Sequence, residues 1–141
     1  MFDTKRMLIG AVLLATTAGC ASVANTTRTG TIHEVRFAER MTPTNLRVEP
    51  GDEIRWINAR STPVTVEFLE GALNEVSCEE GFSSRGLTNL AGRRQDSATI
   101  GPNDSASLCF TAEGTVTYNA RMDSAVAGGQ TIEPGTIRVA R

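Results

Sequence analysis

Histidine occurs once in the 141 residues and cysteine three times, and the apolar run at the N-terminus, Met7–Ala15, is too short to cross a bilayer. A single imidazole allows no His/Ser/Asp constellation beyond what His33 alone could join. Neither an H-E-x-x-H sequence nor a phosphate-binding P-loop is present. Glycine and proline together make 18 residues, too few for a low-complexity chain. The 14 basic and 16 acidic side chains give a net charge of −2 and an isoelectric point near 5.4. That balance lacks the basic stripe needed for phosphate backbones and excludes nucleic acid as the main partner. Asp52 and Glu53 adjoin a turn and fall on opposite faces of a regular strand, so they make no natural acid–base pair. Glu67 and Asp96 read as scattered surface charge. The chain therefore reads as non-enzymatic, and its length fits one domain with a real core.

Lys5 and Arg6 precede the apolar run, and small residues from Thr16 to Gly19 lead to Cys20. A charged start, a short apolar centre and a small-residue exit make a bacterial secretory signal. The stretch Thr17-Ala18-Gly19-Cys20 resembles the lipobox of bacterial lipoproteins, with Thr17 where that family usually carries leucine or another aliphatic residue. The resemblance implies a signal peptide over residues 1–19, lipidation of Cys20 as the new N-terminus, and a polar tether over residues 20–30. Several acyl chains on Cys20 would make the membrane a stable partner. Ordinary cleavage after Ala24, at Ser22-Val23-Ala24, is the alternative and would discard Cys20. Ala21 and Ser22, with no aspartate after Cys20, resemble the sorting signal for the outer rather than the inner membrane. The expected location is the cell envelope, lipid-anchored and facing the periplasm.

Cys78 and Cys109 remain under either cleavage. In an exported protein an isolated pair points to a disulfide, and closing a loop of about 30 residues contributes roughly 3–4 kcal/mol in the chain-entropy model. A metal-binding or redox-active pair is the competing reading, although neither cysteine sits in a C-x-x-C unit.

From Cys20 onward, threonine, valine and isoleucine make 30 residues against six leucines, a balance that favours strands. Alternation of apolar and polar residues marks strands at 31–37, 45–48, 52–57, 63–68, 97–100, 105–110, 115–120 and 136–140. Pro50-Gly51, Gly101-Pro102-Asn103-Asp104 and Glu113-Gly114 are turns by composition. Seven or eight short strands at this spacing imply an all-β Greek-key sandwich over residues 31–141. Residues 70–96 interrupt the pattern as an insertion, within which 71–77 could make one or two helical turns. A Cys78–Cys109 bridge would staple this insertion to the sandwich. Cys109 alternates away from Leu108 and Phe110, which places the insertion over an outer face or an edge. Glu75, Glu79 and Glu80 are matched in the same segment by Arg85, Arg93 and Arg94.

The run Asn45-Leu46-Arg47-Val48-Glu49-Pro50-Gly51-Asp52-Glu53-Ile54-Arg55-Trp56-Ile57-Asn58, followed by Pro63-Val64-Thr65-Val66, resembles the cupredoxin family of plastocyanin and azurin type. Gly114-Thr115-Val116-Thr117-Tyr118 and Gly135-Thr136-Ile137-Arg138-Val139 extend the resemblance to about residues 31–140. A type 1 copper centre needs two imidazoles and a thiolate, usually with a weak axial methionine. In the family the first histidine follows the W-x-N strand, where this chain reads Asn58-Ala59-Arg60-Ser61-Thr62-Pro63-Val64. Ala120 stands at about the thiolate position. The loop expected to hold the second histidine and the methionine, residues 121–135, contains Met122 and no histidine. The resemblance thus implies the scaffold without the type 1 ligands, and neither a metal nor another cofactor is expected. His33 alternates onto the face of Val35 and Phe37 and reads as a hydrogen-bonded core or edge residue. Met41 and Met122 read as packing residues.

The function implied is a copper-free, membrane-anchored protein-binding or structural module with an envelope protein as partner. Segments 70–96 and 121–135 would supply specificity on a rigid frame. One alternative is periplasmic copper binding or electron transfer through an unconventional site of His33, Met122 and the cysteines. Another is an immunoglobulin-type sandwich serving adhesion.

Overall fold

The computed structural model describes residues 28–82 and 96–141. The expected signal over residues 1–19, Cys20 and the arginines Arg85, Arg93 and Arg94 lie outside the described residues.

Among the described residues ten strands form in chain order: β1 Ile32–Phe37, β2 Met41–Thr42, β3 Asn45–Val48, β4 Glu53–Asn58, β5 Val64–Phe68, β6 Val76–Glu80, β7 Ser97–Ile100, β8 Ser105–Phe110, β9 Gly114–Asp123 and β10 Gln130–Val139. One sheet runs β2-β1-β4-β8-β6 and the other β3-β10-β9-β5-β7. The β1/β4 and β3/β10 pairs are parallel and all others antiparallel. Both sheets bury one face against the other, which is why alternation is legible in the sequence. Val35, Phe37, Ile54 and Trp56 meet Val64, Val66, Phe68 and Ile137 across the interface, all fully buried. Trp56 packs edge-on against Phe68 and Tyr118, with ring centroids 5.9 and 5.7 Å apart.

The strand count exceeds the expected seven or eight. β2 is two residues long and offers no alternation to read; it exists because Phe37 pairs with Met41 and Arg36 with Thr42. β6 carries Ser77, Glu79 and Glu80 and has weak strand propensity, but as an edge strand it pairs on one side only, with β8. Within the described part of the insertion, a 3-10 turn over Ala72–Glu75 leads into β6 along the sheet edge. The Cys78–Cys109 disulfide joins directly paired residues of β6 and β8.

Asp96 is not surface charge. It is buried, and its Oδ2 accepts the Leu73 N–H at 2.8 Å, which fixes the start of the 3-10 turn against β7. Met41 and Met122 are both buried in the core, as packing residues. Gly135 pairs with Tyr118, and a Cβ built there would stand 2.2 Å from the tyrosine Cζ. Only glycine leaves room for the ring.

Candidate functional site

The registers place two ends on the sandwich. β1 and β4 run side by side, Ile32 beside Glu53 and Phe37 beside Asn58, so both point the same way. β9 finishes and β10 begins at the Asn58 end, and β10 terminates at the other.

At the Asn58 end the positions named by the cupredoxin resemblance come together. Val64 pairs with Met122 and Val66 with Ala120. The segment 121–135 is not one long loop. Residues 121–123 complete β9 and 130–135 begin β10, which leaves a tight connection over 124–129 closed by Ser124 N–H to Gly129 O and Gly129 N–H to Val126 O. Pro134 lies within β10, opposite Asn119. Thr136 N–H points outward to Thr44 O, so by alternation the donor that Pro134 lacks would also face the outer edge, beyond the end of β3.

An open cleft of about 670 Å³ lies at this end, between the β4–β5 loop (Ala59–Thr62) and the end of β9. Its organising groups are Asn58 and Arg60. Asn58 is fully buried, and its Nδ2 faces the carbonyls of Thr62 at 2.9 Å, Ile100 at 2.9 Å and Gly101 at 3.1 Å. Its Oδ1 accepts the Arg60 N–H at 2.9 Å. This aims the Arg60 side chain across the cleft, where Nη1 donates to Ala38 O and Nη2 to Asp123 O. One guanidinium thus ties the β1–β2 turn to the end of β9, as its planar fork of donors permits. Beyond it the connecting loop presents Val126, 73% exposed.

The donors around this cleft are backbone carbonyls, hydroxyls of Ser61, Thr62, Ser124 and Thr131, carboxylates of Glu39 and Asp123, and the buried thioether of Met122. Two imidazoles and a thiolate are not among them, and a fixed cation stands in their midst, so these residues do not fit a type 1 copper ion. No group of three His, Cys, Asp or Glu side chains able to hold a metal occurs among the described residues. The unconventional set is also dispersed. His33 lies near the start of β1, at the opposite end from Met122, and both cysteines are taken up in the disulfide.

At the His33 end, Asp52 is the hub. Its Oδ2 accepts from His33 Nε2 at 2.8 Å and from the Glu49 N–H at 3.0 Å, and its Oδ1 accepts from the Thr29 hydroxyl. An ionised carboxylate only accepts, so His33 Nε2 is the donor in this bond. Burial pushes the Asp52 carboxyl up. The hydrogen bonds from Thr29, Glu49 and His33, with the His33 charge, outweigh it and hold the group below the usual aspartate value. His33 is thus a hydrogen-bonded residue at the edge of the core. Asp52 and Glu53 indeed diverge, each to its own partners. Alternation could not reveal the roles of Arg60 and Thr29, because both lie in loops.

No family model and no curated protein matches the sequence. Solved structures do. A methionine-to-alanine variant of amicyanin in its Cu(I) form is 22% identical, covers 79% of this chain and 83% of its own, and superposes with a TM-score of 0.50. A methionine-to-glutamine variant in the Cu(I) form is 20% identical over 83% of this chain and 88% of its own, with a TM-score of 0.52. At this identity the likeness speaks for the backbone arrangement alone: two packed five-stranded sheets make this chain a cupredoxin-like β-sandwich.

Proposed function

We propose that this chain is a cell-envelope lipoprotein, anchored through Cys20, whose copper-free cupredoxin-like domain serves as a protein-binding or structural module. The observation that carries this reading is Arg60. At the end of the sandwich where the resemblance expects imidazoles and a thiolate, a guanidinium is held by two backbone carbonyls. A cation fixed there opposes a second cation electrostatically, and the neighbouring oxygens and lone thioether are a poor set for copper. The domain is not an enzyme in this reading: its one imidazole is engaged by Asp52. What the frame offers instead is loops on a sheet scaffold, with the connection over 124–129 and its exposed Val126 beginning just after the Asp123 carbonyl that Arg60 holds. The envelope protein that docks there is the expected partner.

Copper loading of the purified mature protein tests this directly. One equivalent of Cu(II) or Cu(I) is offered, the sample is desalted, and metal content and visible spectrum are recorded. No retained copper and no intense blue absorption are expected. Stoichiometric copper that survives desalting would sink the copper-free reading, and substitutions at His33, Met122, Cys78 and Cys109 would then locate it.

A further inference from the structure

Two carboxylates are buried at the end of the sandwich opposite Arg60, Asp52 at 5% and Glu53 at 8% exposure. Buried charge is costly unless paired. Part of the pairing comes from the domain itself: His33 and the Glu49 N–H for Asp52, and Arg55 for Glu53 through Nε at 3.0 Å and Nη2 at 2.7 Å. The rest comes from the segment just ahead of β1. Arg28 Nη2 donates to Glu53 Oε2 at 2.9 Å, and the Thr29 hydroxyl donates to Asp52 Oδ1.

The backbone follows the side chains. Thr29 N–H donates to Gly51 O at 3.2 Å, and Glu53 N–H to Thr31 O at 2.9 Å. Thr31 N–H returns to the Thr29 hydroxyl at 3.2 Å. Gly30, with φ of +84°, supplies the left-handed turn that lets Thr29 and Thr31 both face the same site. Residues 28–31 are therefore bound to the domain rather than forming the last links of a free tether.

We propose that Asp52 and Glu53 form a docking site for the chain's own N-terminal segment, and that this clamp fixes the root of the membrane anchor at the His33 end. The Arg60 end then faces away from the membrane and is the end a partner meets. The polarity rests on the lipid-anchor reading above; the clamp itself does not. Covalent geometry sets the scale. From Cys20 to Arg28 the chain reaches at most about 28 Å, and freeing it to Ile32 would add about 14 Å. β1 and β4, six residues each, hold the two ends about 20 Å apart. Docking thus shortens the leash by about a third and makes the Asp52–Glu53 end its fixed point of departure.

Two measurements on the full lipidated chain test this. The first is amide hydrogen exchange at Thr29 and Thr31. Slow exchange is expected, with Thr29→Val speeding both positions about tenfold, because docked amides open only when their contacts break. Exchange at free-chain rates in the unaltered protein would overturn the clamp. The second places a fluorophore at Val126→Cys or at Arg141→Cys, positions 73% and 84% exposed, on protein bound to vesicles that carry a headgroup quencher. Arg141 lies by His33 and Asp52, so its label is expected to be quenched several times more strongly. Equal or inverted quenching would overturn the polarity. Failure of the protein to associate with vesicles would count against the anchor and the polarity together, while the exchange rates still decide the clamp.

Discussion

Arg60 donates through Nη2 to the backbone carbonyl of Asp123, so the loop that joins the two sheets holds the final residue of β9. Together with the bond to Ala38 it links the β1–β2 turn of one sheet to the end of β9 in the other. Arg60→Ala is expected to destabilise the fold by about 1–2 kcal/mol, the usual size for losing charge-assisted hydrogen bonds at a half-buried site. Arg60→Lys should recover only part, because one ammonium does not reproduce a planar fork. Urea midpoints of the three proteins check this; a lysine variant as stable as the parent would show that charge alone suffices.

Gly135 is expected to tolerate no side chain. Gly135→Ala drives a methyl into the Tyr118 ring and should cost about 1–3 kcal/mol, as overpacked cores do. In a Tyr118→Leu background the same change should be much milder. A double-mutant cycle in denaturant measures the coupling, and additivity of the two changes would refute the steric explanation.

The disulfide joins residues 31 apart in sequence and holds β6 to the sheet edge. Thiol titration of folded protein should find neither Cys78 nor Cys109 free. Replacing both by serine should lower stability by about 2–4 kcal/mol, the common cost of removing a native bridge. Two reactive thiols in the folded, oxidatively purified protein would contradict the pairing.

Asp52 predicts a pH dependence. Its carboxyl is held below the usual value in the folded state, so folding favours the ionised form. The stabilisation is complete above the ordinary aspartate pKa of about 3.9 and is lost as pH falls through the lower folded-state value. Asp52→Asn should therefore be the less stable protein at about pH 5, with the gap closing towards about pH 2. Thermal melts across that range measure it. A gap that stays constant with pH would mean that Asp52 stabilises by shape rather than charge.

The strands that face both a core and solvent were legible in the sequence, because burial on one face imprints a period of two. Val64, Val66 and Phe68 announce β5 in this way, as Ile54 and Trp56 announce β4. The disulfide partners were legible because Cys78 and Cys109 are the two cysteines beyond the N-terminal apolar stretch. β2 and β6 were not: one is too short for a period, and the other is polar and exists only through its neighbour β8. Asp96 looked like surface charge because nothing local shows that the 3-10 turn brings Leu73 over it.

The same division runs through the candidate site. By itself the sequence determined that one imidazole is present and that the stretches matching the copper ligand positions carry neither histidine nor cysteine. Composition is local information, and it needs no fold. That Arg60 reaches the carbonyls of Ala38 and Asp123, 22 and 63 residues away, was decided by tertiary structure alone. So was the binding of Arg28 and Thr29 to Glu53 and Asp52. Hydrogen bonds between loops depend on where the sheets carry their ends, and no periodicity along the chain records that placement.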